Sequence, residues 1–384
     1  MIPLARPLMD SREIEALAQV VASGWLTQGA QVAGFEEDFA RLVGAPHACA
    51  VSSCTAALHL ALLALGIGPG DEVVTVSHSF IASANAVRMC GAEPVFADIV
   101  QDGFVIDPAA IEPLLSARTR AILCVHQVGM PCDLGAIAAL ARRHGLALVE
   151  DAACAVGSQI RFGEEWQPIG KPVGEVACFS FHPRKILSTG EGGMITTRDA
   201  RIDARCRTLR QHGMDLSDLA RHASGTVVHE TYAEAGFNYR MTDLQAALGR
   251  VQLTRLESIV TERRALAARY GALLAWIPGL SLPQEPSWSR SNWQSYTVGL
   301  PAGAGRERVM QALLEAGVAT RRAVMACHLE APYTDARRCD LARTEHVSAT
   351  HLILPLYCGM REDEQIAVVE SLADALELCR ERLA

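Results

Sequence analysis

Short apolar runs alternate with helical stretches between about residue 35 and residue 200, and this alternation predicts an α/β fold. Chains of this kind form a mostly parallel central sheet that is flanked by helices on both faces. The pattern changes near Thr242, which forms a capping-box sequence with Gln245 and begins a long helical region. We therefore predict a large α/β domain over residues 1–250 and a smaller α+β domain over residues 251–384.

The predicted strands of the large domain follow one another at short intervals. They are Ala48–Ser53, Glu72–Val76, Pro94–Ala97, Ala121–His126, Leu146–Val149 and Val176–Phe181. The helices predicted between them are Thr55–Leu65, Ile81–Met89 and Asp133–His144. Ligands of such sheets bind beyond the carboxyl ends of the parallel strands. The residues that follow the strands are therefore the first candidates for chemistry.

The last third of the chain predicts long helices followed by a small strand and helix pattern. Apolar residues recur at helical spacing after Thr242, and Arg255 to Ala275 continues as an alanine-rich helix. Pro278–Trp293 is rich in Pro, Ser and Trp and predicts a loop. The elements predicted after this loop are a strand Ser295–Leu300, a helix Arg306–Ala316, a strand Val318–Arg321 and a terminal helix from about Arg361.

Composition and charge narrow the class of protein. The chain has 384 residues, half of them hydrophobic, and its formal net charge is −8. An acidic chain is a poor partner for nucleic acid, which attracts cationic surfaces. The sequence contains neither a basic and apolar leader nor a long uncharged apolar run, so we expect a cytoplasmic protein without a membrane span. A local basic pocket for an anionic small molecule is compatible with this charge.

The twelve cysteines are scattered from Cys49 to Cys379, and none forms a C-x-x-C pair. Several of them, such as Cys124 and Cys178, lie inside apolar strand-like runs. We expect most cysteines to be small buried residues in a reducing compartment. The spacing does not resemble a zinc site, so no metal is expected.

Lys185 is the most informative residue of the chain. It follows the apolar run Val176–Phe181 and precedes a glycine-rich turn at residues 188–193. A lysine at such a strand edge, beside a cavity, can lose its charge and form a Schiff base. A surface lysine in an Arg-Lys pair is the simpler interpretation of Lys185 alone. The groups at two other strand ends favour the chemical role.

Those two strand ends carry an acid and a phosphate cradle. Asp151 follows a buried strand, where a carboxylate needs a partner; it is either a structural cap or ion pair, or the partner of a protonated pyridine nitrogen. The small hydroxyl residues around Thr55 open an apolar helix whose free amides suit a phosphate, although Ser and Thr are also routine caps. Ser180 can add a hydroxyl to the same phosphate.

A lysine, an acid and a phosphate cradle are the three groups that pyridoxal 5′-phosphate (PLP) requires. Two other kinds of site, a nicotinamide site and a kinase-type phosphate loop, fit the sequence less well. No G-x-G-x-x-G follows the first strand, which argues against nicotinamide binding, and no G-x-x-x-x-G-K-[ST] occurs.

Three segments of the chain resemble the DegT/StrS family of PLP-dependent nucleotide-sugar aminotransferases. They are Glu150-Asp151-Ala152-Ala153, the segment from Phe179 to Gly193, and the segment from Gly236 to Ala247. The similarity extends along nearly the whole chain, from Gly24 to Tyr357. It implies the fold type I architecture of PLP-dependent transferases, a cytoplasmic homodimer, and transfer of an amino group from L-glutamate to a nucleotide-linked keto-deoxysugar.

The resemblance also implies roles for individual residues. Lys185 would form the Schiff base and Asp151 would pair with the pyridine nitrogen. The other implied cofactor contacts are Thr55, Ala56 and Ser180 at the phosphate, His78 stacked on the ring, Cys154 near the ring hydroxyl, and Asn238 reaching the phosphate of the neighbouring subunit. Cysteine forms weaker hydrogen bonds than the glutamine or histidine common at position 154. Four residues match segments that could meet a substrate carboxylate or diphosphate, or form structural ion pairs: Arg210, Arg240, Arg321 and His328.

Dehydratase relatives carry histidine in place of the lysine, and Lys185 therefore favours transamination. Two alternatives remain open at the level of sequence. The ketone could be a cyclitol or another non-nucleotide compound, and the segment from Met214 to Glu234 is expected to face the substrate without revealing it. A regulatory homologue that binds PLP without catalysis is the second alternative, and the intact Lys185, Asp151 and Ser180 argue against it. The sugar, the nucleotide, the carbon aminated and the pathway are not readable from the residues.

Overall fold

The computed structural model describes residues 1–216, 221 and 224–381, and it shows the α/β architecture that the sequence predicts. The strands of the described residues are β1 His47–Val51, β2 Glu72–Val76, β3 Glu93–Ala97, β4 Thr119–Val125, β5 Ala147–Asp151, β6 Gln159–Phe162, β7 Glu165–Pro168, β8 Val176–Ser180, β9 Gly193–Thr197, β10 Ser289–Arg290, β11 Tyr296–Gly299, β12 Arg321–Arg322 and β13 His351–Leu354.

The helices of the described residues surround these strands. They are α1 Ser11–Ser23, α2 Ala30–Val43, α3 Cys54–Ala64, α4 Ala82–Met89, α5 Pro108–Ile111, α6 Leu134–His144, α7 Ala200–Leu209, α8 Asp243–Leu253, α9 Leu256–Leu274, α10 Arg306–Glu315, α11 Ala342–Thr350 and α12 Glu362–Glu381. None of them is long and apolar enough to span a bilayer.

The central sheet has seven strands in the order β1-β9-β8-β5-β4-β2-β3. Strand β9 runs antiparallel to its two neighbours, and the other strand pairs of the sheet are parallel. The predicted strands of the large domain are confirmed to within a few residues, whereas β9 and the β6–β7 hairpin were not predicted. Because β1, β5, β8 and β4 point the same way, their carboxyl ends meet at one edge of the sheet.

Helix α2 connects the first part of the chain to the sheet and to α8. Phe35 and Phe39 of this helix pack against Phe179 and Phe181, with 4.9 Å between the ring centroids of Phe39 and Phe179. The buried carboxylate of Asp243, at the start of α8, accepts hydrogen bonds from the first backbone amides of α2, at 2.8 Å from Gly29. These contacts satisfy orphan helix donors and hold α2 in place.

A second core lies in the last third of the chain, around the small sheet β11-β13-β12 and helices α9, α10 and α12. Strand β13 was not predicted, and of the predicted strand Val318–Arg321 only its last residue lies in β12; Val318 forms a single parallel bridge to Ile2. Helix α9 contributes Leu256 to the first core and Tyr270 to the second. The domain boundary at residue 250 stays a prediction.

Candidate active site

A cavity of about 420 Å³ lies where the carboxyl ends of the central strands meet the small sheet. Its polar wall comes from the strand ends and the helix starts beside them. That wall contains Ser53, Thr55, Ser83, Gln127, Asp151, Cys154, Ser180 and Lys185. The facing wall combines apolar side chains with two arginines, and it contains Leu4, Ala5, Arg321, Arg322, Val324, Met325, Ile353, Leu354 and Leu356.

Lys185 lies in the turn after β8, where its backbone amide donates to His182 O at 2.8 Å. The ammonium Nζ donates to Cys154 Sγ at 3.1 Å. Burial by itself lowers the pKa of Lys185, but the neighbouring Cys154 and the carboxylate of Asp151 more than offset it, so the pKa is raised above its ordinary value. In the absence of a carbonyl partner, this amine therefore carries a proton at neutral pH.

Asp151 ends strand β5 and has only 5% of its surface exposed. Its Oδ2 accepts a hydrogen bond from Ser83 Oγ at 2.7 Å, and its Oδ1 accepts one from the backbone amide of Ala153 at 3.1 Å. Ser83 in turn contacts Ser79 Oγ at 2.8 Å. The carboxylate is thus fixed in orientation on the cavity wall, as a group that must hold a cationic ring nitrogen needs to be.

The start of α3 forms the predicted anion cradle. Ser53 caps the helix, because its Oγ accepts a hydrogen bond from the amide of Ala56 at 3.1 Å. Thr55 and Ser180 line the cavity on either side of this turn. Gly193 of β9 lies flat against the turn, since a Cβ at that position would stand 2.4 Å from the backbone oxygen of Ser53. Strand β9 therefore supports the cradle, a role that local sequence did not reveal.

His78 and Phe80 occupy opposite environments. His78 is fully buried, its Nδ1 lies 3.1 Å from Phe104 O, and burial lowers its pKa to about 4. It is not one of the described residues that line the cavity, so the structure does not bring it to the place where a ring would stack on the cofactor. Phe80 lines the cavity with 58% of its surface exposed. The aromatic side chain that the sequence analysis missed at this wall is Phe80.

Of the four predicted substrate residues, one lines the cavity, and the other three are not among the described residues that line it. Arg321 lies on the cavity wall. Arg210 is buried in an ion pair with Glu36, and the Nδ1 of buried His328 is bonded to Ser77 at 2.7 Å while its Nε2 contacts Glu345 at 3.1 Å. Arg210, His328 and Arg240 are not among the described residues that line the cavity. These contacts favour the structural alternative for Arg210 and His328.

Asn238 also lies away from this cavity. Its side chain is exposed, and its backbone pairs with Gln211 in an isolated bridge. Of the predicted substrate-facing segment 214–234, residues 217–220 and 222–223 lie outside the described residues.

The residues of the polar wall fit the cofactor that the sequence analysis proposed. An amine for covalent attachment, an oriented carboxylate, an aromatic ring and a helix start with hydroxyl groups surround one cavity. These are the groups required by the aldehyde, the ring nitrogen, the ring face and the phosphate of PLP. The fold and this site together define a PLP-dependent aminotransferase of fold type I.

Comparison with known proteins identifies the family. The profile of the DegT/DnrJ/EryC1/StrS aminotransferase family matches residues 7–373, and the chain belongs to this family. The predictions of family, fold class and enzyme class are thus confirmed.

Several solved structures are similar over the whole chain. The aminotransferase TlmJ from Streptoalloteichus hindustanus is 34% identical, with a TM-score of 0.90, and the match covers 99% of this chain and 100% of TlmJ. DesV from S. venezuelae, solved in complex with a ketimine intermediate, is 34% identical with a TM-score of 0.87 and 98% of each chain covered. DesI, solved in the presence of its TDP-sugar product, is 32% identical with a TM-score of 0.89, covering 100% of this chain and 96% of DesI.

Proposed function

We propose that this enzyme uses PLP to transfer an amino group from L-glutamate to a nucleotide-linked keto-deoxysugar. The observation that carries the proposal is the convergence of Lys185, Asp151 and the start of α3 on one cavity. The relative DesI was solved with a TDP-sugar product, which supports a sugar nucleotide as the ketone substrate. The facing wall supports it as well, because apolar side chains beside Arg321 and Arg322 suit a deoxygenated sugar that carries an anionic diphosphate.

PLP supplies, when bound, an aldehyde that takes up amines and a ring that accepts electrons. Lys185 Nζ would hold the cofactor through that aldehyde and, when free, would take the proton from the α-carbon of glutamate and return a proton on the way to 2-oxoglutarate. Asp151 would hold the ring nitrogen in its protonated form, because Ser83 and the amide of Ala153 keep its carboxylate in place.

The remaining groups of the cavity are proposed to bind and orient the cofactor and the substrate rather than to transfer protons. Thr55 and Ser180 would hold the phosphate at the positive end of α3, whereas Ala56, predicted beside them, is not among the described residues that line the cavity and its amide is bonded to Ser53 Oγ. Phe80, which lines the cavity, would cover one face of the ring, the role first assigned to His78. Arg321 binds a carboxylate or a diphosphate of the substrate by charge-assisted hydrogen bonds.

The active unit of this proposal is a homodimer in which Asn238 contacts the phosphate bound by the other subunit. Asn238 is exposed and is not among the described residues that line the cavity of its own subunit, which supports this arrangement. Asn238→Ala should weaken PLP binding without altering the pKa or the labelling of Lys185. Mixing this variant with Lys185→Ala tests the arrangement, because only shared sites give mixed dimers in which one site carries neither change and therefore binds PLP as tightly as the natural enzyme.

A donor-and-ketone screen tests the substrate. Purified protein loaded with PLP is given L-glutamate, and the loss of the cofactor absorbance and the release of 2-oxoglutarate are followed. Keto-deoxysugar nucleotides and keto-cyclitols are then compared as acceptors, with kcat/KM as the measure. Faster turnover of a keto-cyclitol would replace the sugar-nucleotide proposal, and a spectrum that glutamate leaves unchanged would favour a non-catalytic homologue.

A further inference from the structure

Residues 291–295, which connect β10 to β11, contact three parts of the cavity wall at once. Their side chains reach the turn after β4, the loop after β5 and the turn after β8. Val128, Cys154 and Lys185 line the cavity from these three parts. We call residues 291–295 the supporting segment.

The contacts of the supporting segment with the first two parts are buried. Asn292 is fully buried, and its Nδ2 donates to the carbonyl oxygens of Cys154 and Val156, each at 2.8 Å. Ser291 Oγ donates to Gly129 O at 3.0 Å. Gly129 has a φ of +91°, and a Cβ at that position would overlap Asn292 Oδ1, so the close approach requires glycine. The supporting segment is therefore fixed against both loops.

The backbone of the supporting segment is strained at Trp293. Its φ of +52° is unusual for a bulky side chain. The buried Arg263 of α9 holds this conformation, because its Nε donates to Trp293 O at 2.9 Å and its Nη2 donates to Gln294 O at 2.8 Å. Strained backbone persists only where surrounding contacts over-determine it, and such places cluster at functional sites. The residue after the strained one is Gln294, whose side chain reaches the third part of the wall.

Gln294 connects the supporting segment to the turn that carries Lys185. Its Nε2 donates to Arg184 O at 2.8 Å, and its Oε1 accepts from Ser295 Oγ at 3.0 Å, which fixes the orientation of the amide. The carbonyl of Arg184 belongs to the peptide bond that joins it to Lys185. The amide of the same peptide bond donates to His182 O at 2.8 Å. The peptide that carries the lysine is therefore held at its oxygen by Gln294 and at its nitrogen by the turn itself.

We propose that Gln294 is a positioning residue for Lys185: it couples the peptide of the lysine to the supporting segment and so keeps Nζ where it attaches PLP and moves protons. The inference rests on the proposed function for the chemistry of Nζ. Gln294 also lines the cavity, so direct contact with the substrate is the competing role. The two roles have different kinetic effects, because a misplaced Nζ lowers kcat whereas a lost substrate contact raises KM.

Gln294→Met tests the proposal, because methionine has a similar length and cannot donate a hydrogen bond. Gln311→Met is the matched control, since Gln311 is exposed on α10, donates to Glu315 Oε1 at 2.8 Å and is not among the described residues that line the cavity. PLP is added to the cofactor-free chain, and the absorbance of covalently attached PLP is followed by stopped flow. Gln294→Met should attach PLP about tenfold more slowly than the natural enzyme, as expected for one lost positioning hydrogen bond, and Gln311→Met should match the natural enzyme.

Two further measurements separate positioning from the competing role. In Gln294→Met, kcat should fall about tenfold while the KM values for glutamate and the ketone stay within about twofold. Deuterium uptake of the cofactor-free variant over residues 180–187 should be faster than in the natural enzyme, because the turn has lost a tether. Circular dichroism shows that both variants are folded.

Equal attachment rates in Gln294→Met and the natural enzyme would overturn the positioning of Lys185. A tenfold rise in KM at unchanged kcat would assign Gln294 to the substrate instead. If the natural enzyme attaches no PLP at residue 185, the proposed function fails, and deuterium uptake alone then decides whether Gln294 holds the turn.

Discussion

Replacing Arg210 by methionine separates a structural role from a substrate role. Arg210 is 4% exposed, and its Nη1 donates to Glu36 Oε1 at 2.5 Å and to Ala50 O at 2.6 Å. Glu36 keeps a second ion pair with Arg207 at 2.6 Å after the change. Removing one partner of a buried pair costs about 3–5 kcal/mol, and we expect about 3 kcal/mol because Arg207 remains.

That loss corresponds to a measurable shift in the melting temperature. For a chain of 384 residues, the entropy of unfolding near 60 °C is about 0.8 kcal/mol per kelvin, so Tm should fall by about 4 °C. Because Arg210 lies outside the cavity, the KM values for glutamate and for the ketone should stay within about twofold. Thermal melts by circular dichroism and initial rates well below Tm provide both measurements.

Arg201→Met is the matched control for Arg210→Met. It removes an arginine from the same helix, α7, whose side chain is 92% exposed and pairs only at the surface with Asp199. Its Tm should not change. If Arg210→Met kept the natural Tm and raised KM for one substrate tenfold or more, the structural assignment would be refuted and the substrate role restored.

Three further predictions follow from the site and its support. Lys185→Ala should abolish turnover and the absorbance of covalently bound PLP, and borohydride reduction of the natural enzyme should fix the cofactor at residue 185 and nowhere else. Phe80→Ala should weaken PLP binding about tenfold by titration, because it removes an aromatic face from the cavity wall, whereas His78→Ala should mainly lower Tm. Burial raises the pKa of Glu36, but Arg210 and Arg207 more than offset this effect and hold the pKa below its ordinary value of 4.5. The ionised Glu36 therefore stabilises the fold fully above pH 4.5, and this stabilisation is lost as the pH falls further. Because Arg210→Met removes part of it in advance, the variant should lose less of its remaining stability between about pH 5 and pH 3. A steeper acid loss in that variant would contradict the assignment.

Local sequence was sufficient wherever a short segment carried its own physical signal. Alternating apolar runs predicted the strands, and the rule that parallel strands present ligands at their carboxyl ends pointed to Asp151, Ser180 and Lys185, all of which line the cavity. The hydroxyl-rich start of a helix predicted the cradle at Thr55 because a helix start always leaves free amides. These signals depend on a few neighbouring residues and need no knowledge of distant contacts.

Only the tertiary structure decided which side chains of adjacent positions face the cavity. His78 and Phe80 are two residues apart, and packing against Phe104 buries the first while the second remains on the wall. Arg210 and Arg321 are equally charged in sequence, yet Arg210 is paired with Glu36 of a distant helix and Arg321 lies on the cavity wall. The short distance between Cys154 and Lys185 likewise joins two segments 31 positions apart. The orientation and charge of these groups depend on long-range packing, which no local pattern encodes.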